Sequence, residues 1–408
     1  MTGRRRRRSS IPFTKFVYSA GDALPTGSTY TRSGPATYVD SNGIVQTAAI
    51  NTLRDSHYIG GVRGVLLEAA RTNALTYSEQ FDNGAWTKAA VSVTANAVNG
   101  PDGTLSADKI VSTADGGYRV FFQSAAATAS VAHTATIYAK AAEQSEITME
   151  LRYAGEGEVI TASFTLTGAG VAVVANPTGS PLVSIEALAN GWYRCNTTKT
   201  NPGAGTTCLL IVKPGGTVVN GEGVYFWGAQ FELGAFPSSY IPTAASTLTR
   251  GADFFKLPFR GTPQNMTSYV KMTDLGTAQL SLTWLFNLGA NNSQYRVLTP
   301  TGDYRTRHFN GSSDIESATG PLAAPFGSTV EHRGVLNTNG SVLSAASVNG
   351  AVEVVGSISA ANTMGTTFTP QELVVNSFVD GTSPGFASFQ SIKFNIGTKT
   401  LAEMQALT

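Results

Sequence analysis

The sequence predicts an all-β protein: an extended N-terminal arm, two β-sandwich domains of jelly-roll type and a short C-terminal helix. Three observations lead there. Charged residues are only 13% of the 408, about half the share of an ordinary soluble domain. Hydrophobic residues reach 42%, so Ser, Thr, Asn and Gly must supply a neutral polar surface, a balance that suits strands and turns. Short runs alternate apolar and polar residues with period two, and Gly, Pro and Asn clusters part them at short intervals, the pattern of a sandwich or jelly roll.

Arg4, Arg5, Arg6, Arg7 and Arg8 open the chain as a block of like charge. Such a block repels itself and stays extended until a partner neutralises it. Residues 1–25 therefore read as an arm, and residues 1–60 as a leader that anchors the protein to a partner assembly. Ser33-Gly34-Pro35 and Asp40-Ser41-Asn42-Gly43 mark turns between short strands in that leader. Residues 61–248 form the first expected sandwich. In it Ile147, Met149, Leu151 and Tyr153 alternate with Thr148, Glu150 and Arg152, so one face is buried and the other wet. Further strands are expected in HTATIYAK, ASFTL, GVAVVA, WYRCNTTKT and CLLIVKP. Residues 249–408 form the second sandwich, with Asn349-Gly350 as a tight hairpin turn. At the end, Thr400 and Glu403 stand in capping-box spacing before a helical stripe of Leu401, Met404 and Leu407.

The segment VYFWGAQFELGAFPSSYIPT, from Val224 to Thr243, sets three aromatics side by side. Strand geometry puts Tyr225, Trp227, Ala229, Phe231 and Leu233 on one, nearly apolar face. That face is expected to be core. Val224, Phe226, Gly228, Gln230 and Glu232 point the other way, towards water or a neighbour.

Composition also excludes classes. Without the five N-terminal arginines, 23 basic residues face 27 acidic ones, so the body is weakly acidic and no nucleic-acid partner is expected. No apolar run approaches the roughly 18 residues of a membrane span. Cys195 and Cys208 make neither a disulfide framework nor a metal site and are expected as buried free thiols. His57, His133, His308 and His332 are isolated. The acidic residues form no visible pair of the kind a glycosidase needs, and neither a Gly-x-Ser-x-Gly elbow nor a His-Glu-x-x-His motif occurs. The chain is expected not to be an enzyme and to need no cofactor or metal.

The stretch from Gly64 to Ile110 resembles a segment of bacteriophage structural proteins. The matching positions are Leu66, Leu67, Glu68, Arg71, Thr72, Asn73, Tyr77 to Asn83, and Trp86 to Lys88. TATIYAKA, NGWYRC and YFWGAQFELGAFPSSYIPT follow in the family's order. These are head-spike, head-fibre or tail-fibre proteins, similar also to head spikes of gene transfer agents, and their central region resembles a carbohydrate-binding-module jelly roll. The C-terminal SAASVNGAVEVV and GFASFQSIKFNIGTKTLAEMQALT are similar to the end of a concanavalin-like lectin domain. There Phe394-Asn395-Ile396-Gly397 replaces the family's tyrosines, proline and arginines, so no role of those residues carries over.

The resemblance implies a virion protein on the particle exterior. Its basic arm would contact capsid, neck or tail proteins, and its sandwiches would bind host surface polysaccharide as a homo-oligomer, a trimer by preference. A structural head decoration without glycan binding is the other reading. Candidate glycan contacts are Trp86, Tyr118 and Arg119 in the first sandwich and Tyr304, Arg305, Arg307 and His308 in the second. Against each stands a plainer reading: Trp86 as core, and the second group as an ordinary exposed hairpin.

Overall fold

The computed structural model describes residues 15–115, 117–155, 159–175, 181–216 and 219–258, and beyond these the strands between 266 and 396 together with Ala351. The regular structure among the described residues is all strand, as expected, apart from one 3-10 turn, Ala189–Gly191. Arg4 to Arg8 and the expected C-terminal helix lie outside the described residues. No helix among the described residues is long and apolar enough to cross a membrane.

Two compact units are formed, and they are not serial. Residues 31–253 make a central unit, and residues 1–30 join residues 254–408 in a terminal unit. This differs from the divisions expected at 60 and 248. Residues 31–60 belong to the central unit, and part of the expected arm, Lys15–Ser19, is a strand paired antiparallel with Ala387–Ile396. In the terminal unit that last strand also pairs with Met266–Asp274, and Thr329–Leu336, Val342–Val348 and Val354–Val355 continue the sheet. A four-stranded sheet, Phe286–Asn287, Gln294–Arg296, Asp303–Phe309 and Asp314–Pro321, packs against Val342–Val348.

The central unit is a sandwich of two six-stranded antiparallel sheets. The first sheet runs, in spatial order, Leu182–Ala187, Trp192–Thr200, Ala132–Ala141, Gly223–Leu233, Leu105–Ser112 and Val91–Asn99. The second runs Val171–Val174, Val159–Thr165, Glu146–Tyr153, Thr207–Pro214, Val120–Ala126 and Thr87–Ala89. Between them lies one apolar core. Ile147, Met149, Leu151 and Tyr153 enter it from the second sheet, as their alternation predicts, and Ile137, Cys195, Val224 and Phe226 from the first. Both cysteines are free and buried; burial pushes the Cys208 thiol up to about 12.

The alternation expected along Val224 to Leu233 breaks at Gly228. Thr136 pairs with Gln230 but Tyr138 pairs with Trp227, so two residues on one strand oppose a single residue on the other. Such a bulge reverses which side chains face inward. Val224 and Phe226 face the inter-sheet core before it, and Ala229 and Phe231 face the same core after it. Tyr225 and Trp227 lie on the other side of the sheet. Gly228 takes the left-handed φ of +59° that the bulge requires, and a Cβ there would stand 3.0 Å from the Tyr138 ring.

That other side is covered, which is why Gln230 and Glu232 are buried rather than wet. The leader hairpin Ala36–Val39/Val45–Ala48 brings Val45 onto Ala107, Tyr138, Trp192, Trp227 and Tyr240, a second apolar cluster. The indole N–H groups remain satisfied: Trp192 donates to the Asn99 carbonyl at 3.1 Å and Trp227 to Ser106 Oγ at 3.0 Å.

Candidate functional site

The residues of the sequence motif hold the central unit together. Glu68 accepts from Ser239 N at 2.7 Å and Ser239 Oγ at 2.6 Å, and from Arg54 Nη1 at 2.6 Å. Arg250 Nη2 stands 3.5 Å from the same carboxylate. Asp253 takes Arg54 Nη2 at 2.5 Å, Arg32 Nη1 at 3.3 Å and the Glu68 N–H at 2.7 Å. Glu232 takes Ser238 N and Oγ at 2.8 and 2.6 Å and the Gln230 amide at 2.8 Å; Arg71 stands 3.5 Å away and covers the Phe236 ring. Asn73 donates to the Ala229 and Ile241 carbonyls and accepts from Leu75 and Phe231. The Leu-Leu-Glu-x-x-Arg-Thr-Asn run and the Phe-Pro-Ser-Ser-Tyr-Ile-Pro tail are thus two sides of one buried clasp. Nearby cations hold the Glu68 carboxyl well below the carboxylate range against the opposing effect of burial. The carboxylates of the clasp are each taken up by neighbouring cations, hydroxyls and N–H groups.

The two central-unit histidines are core residues as well. His57 Nδ1 accepts the Val39 N–H at 3.1 Å, and burial, then Arg54, lowers its pKa to about 4. The His133 ring stacks on Phe231 at 5.3 Å, and its Nε2 accepts from Thr128 N.

Trp86 is corrected as a glycan contact. It is 1% exposed, packs 5.0 Å from Phe81 and 5.7 Å from Phe121, and donates its N–H to the Tyr77 carbonyl. No ring face is left for a sugar. Tyr304, Arg305, Arg307 and His308 lie in the strand Asp303–Phe309, with side chains outside the described residues. Its pairing with Gln294–Arg296 and Asp314–Pro321 makes this part of the four-stranded sheet.

Tyr118 and Arg119 stand elsewhere, just ahead of Val120–Ala126 in the second sheet. The outer face of this sheet is exposed at Thr87, Ala89, Tyr118, Arg152 and Ser163, whereas Val120, Glu150 and Ile211 at its centre are buried. Arg119 is buried and, two residues before the core-facing Phe121, is turned away from that face. Register places Thr161, Glu150, Ile211, Phe122 and Thr87 in one row across it, and Ser163, Thr148, Lys213, Val120 and Ala89 in the next. Tyr118 is 53% exposed, and the Lys213 ammonium lies 4.9 Å from its ring centroid. Lys213 also bonds the Glu150 carboxylate, which has Arg152 Nη2 at 3.8 Å on its other oxygen. An exposed ring, a carboxylate between two cations and a flank of threonine hydroxyls is a set that can receive a saccharide: the ring takes an apolar sugar face and the polar groups take hydroxyls. Glu150, Lys213 and Phe122 were not picked out by motif. Period two did mark Glu150 as outward, and the cross-strand register that brings Lys213 beside it is set by pairing, which one strand's sequence does not contain. Among the described residues no group of three His, Cys, Asp or Glu is placed to hold a metal ion.

No family model matches the chain, and no curated protein matches it. Among solved structures it is similar to the LG1-3 region of the laminin alpha2 chain, at 11% identity over 67% of this chain and 63% of that one, with a TM-score of 0.28. It is likewise similar to domains LG4-5 of the mouse laminin alpha1 chain, at 12% identity over 65% of this chain and 82% of that one, with a TM-score of 0.24. The match spans less than two thirds of the first of these laminin structures.

Proposed function

We propose that this chain is a non-enzymatic saccharide-binding protein of a virion surface, a head or tail fibre or spike, whose central sandwich receives host glycan on its second sheet. The observation that carries the saccharide reading is the asymmetry of the sandwich. The outer face of the first sheet is sealed by the chain's own leader and tail, while the second presents the exposed Tyr118 and Arg152 beside Lys213, with the Glu150 carboxylate buried between the two cations. The virion setting rests on the ordered motif run from Leu66 to Lys88 and from Val224 to Thr243. Arg4 to Arg8 would dock on an acidic virion subunit, and several copies, as in a trimer, would raise a modest affinity by avidity.

A structural decoration without glycan binding is the second reading. It is favoured by the burial of Trp86, Trp192 and Trp227, which leaves Tyr118 as the exposed aromatic of this face among the described residues. A glycan array probed with the full chain separates the two. The saccharide reading predicts a saturable signal that Tyr118→Ala reduces about tenfold, on the scale of one lost stacking contact. Silence across capsule, lipopolysaccharide and neutral glycans from a folded chain would leave the decoration.

A further inference from the structure

Among the described residues, the central unit has one strand edge without protection. Val171–Val174 pairs with Val159–Thr165 on one side and ends the second sheet on the other. An open edge offers backbone donors and acceptors to any other strand, and proteins blunt it with charge, proline, a bulge or shortness. The unit's other edge strands are blunted in these ways. Val91–Asn99 carries two register shifts and the left-handed Asn96, Thr87–Ala89 is three residues long and holds Lys88, and Leu182–Ala187 holds Glu186. From Val159 to Ala175 the sequence has no charged residue. Val171 and Val173 are each 54% exposed.

The backbone fixes which groups are on offer. The Ala175 N–H donates to the Thr161 carbonyl at 2.9 Å. Antiparallel pairing alternates, so Val171 and Val173 also turn their N–H and C=O groups into the sheet, and Ala172 and Val174 turn theirs out. Among the described residues no backbone group bonds Ala172 or Val174 from that side. An uncharged edge is its own electrostatic complement: two copies meet without repulsion, whereas a charged strand would find no counter-charge. We infer that Val171–Val174 is a two-fold docking edge for a second copy of this chain, which adds antiparallel and joins the two second sheets into one. With Val173 opposite its own counterpart, Ala172 of each copy stands opposite Val174 of the other, and all the outward groups of both are paired. The exposed Val173 side chains then meet at the closer of the two antiparallel spacings. The axis is normal to the sheet, so both outer faces look the same way. Val120–Ala126 is the fifth strand from the edge in each copy, which sets the two Tyr118 strands about 40 Å apart at ~4.8 Å per strand. One four-residue edge per copy buries less than the roughly 1,000 Å² of a stable complex, so the contact is weak alone and counts where copies are crowded on one particle. This pairing does not depend on what the outer face binds.

The test is a disulfide trap in the full chain. Cys195 and Cys208 are buried, so a new surface cysteine reports alone. Positions 171 and 173 are equally exposed, but only 173 meets itself across the axis. The two copies of position 171 would lie about 14 Å apart along the strands, beyond the ~7 Å reach of a disulfide. Mild oxidation of Val173→Cys is expected to give roughly tenfold or more linked dimer than Val171→Cys on a non-reducing gel, because only the first lies within that reach. In sedimentation velocity the wild-type mass is expected to rise with concentration, and Val173→Lys to abolish the rise without lowering the melting temperature. Equal yields from the two cysteine variants, or no link from either, overturn the inference, as does a mass increase that persists in a folded Val173→Lys. Should Val173→Lys not fold, the cysteine comparison decides alone.

Discussion

Glu68 holds two buried guanidiniums with one carboxylate and anchors Ser239 as well. Replacing it by Gln keeps the shape and removes the charge, so Arg54 and Arg250 lose a counter-ion inside the protein. Breaking a buried pair from one side costs about 3–5 kcal/mol. Glu68→Gln is therefore expected to lower the urea midpoint of the central unit by that equivalent, and an unchanged midpoint would show that the clasp carries no such weight. His57 makes a prediction of opposite chemical origin in the same neighbourhood, where Arg54, Glu68 and Arg194 surround it. Its folded pKa is depressed from 6.5 to about 4, so the folded state refuses a proton that the unfolded chain accepts. Stability is whole above pH 6.5 and declines as pH falls towards 4, by about 3 kcal/mol in all for a shift of this size. Below about 4.5 the loss from Glu68, whose carboxyl is held low, adds to it. Urea unfolding between pH 7 and 4 is expected to show the decline in the wild type and a flatter profile in His57→Gln; parallel profiles would remove His57 as the cause.

At the scale of the element, the strand Gly223–Leu233 shows what the sequence does and does not display. Its existence and its aromatic content are plain from period two, and so is the core face of Glu146–Tyr153, which has no irregularity. The bulge is not plain, because Gly228 between Trp227 and Ala229 reads equally as a small residue in a regular strand. One left-handed glycine inverts the later half, so that Phe231 faces the same core as Phe226. The covering of Gln230 and Glu232 was equally hidden: their partners are Arg71, Ser238 and Ile241, and only the folded backbone brings those segments together. Gly228→Ala tests the bulge. The left-handed backbone alone costs a non-glycine residue about 1–2 kcal/mol, and the new methyl must displace Tyr138 or Tyr240, 3.0 and 3.3 Å away. A destabilisation of at least that backbone cost is expected by chemical denaturation, together with altered near-ultraviolet circular dichroism from the tyrosines and Trp227. A neutral effect would mean that a regular strand is equally acceptable there.

For the whole molecule, the fold class was legible and the connectivity was not. Strand propensity and turn chemistry are local properties, whereas a unit inserted within another is a fact about which ends meet. The ends of the central unit meet closely. The Gly251 N–H donates to the Ser33 carbonyl at 3.0 Å, Arg32 pairs with Asp253, and a side chain on Gly251 would collide with Ser33. A cut at residue 60, where the sequence suggested the first sandwich begins, removes Arg32, the leader hairpin and Arg54. It thereby strips the outer cluster around Trp227 and leaves Asp253 and Glu68 without a counter-ion they hold in common, Arg54. A fragment of residues 31–253 retains all of these. It is expected to express as a soluble sandwich that unfolds in one cooperative step and keeps whatever saccharide affinity the full chain has, since Tyr118, Glu150, Arg152 and Lys213 all lie within it. Residues 61–253 are expected to lack that cooperative step and to expose apolar surface to a fluorescent dye. Equal cooperativity in the two fragments would show that residues 31–60 only rest on a sandwich that is complete without them, and would return the boundary to residue 60.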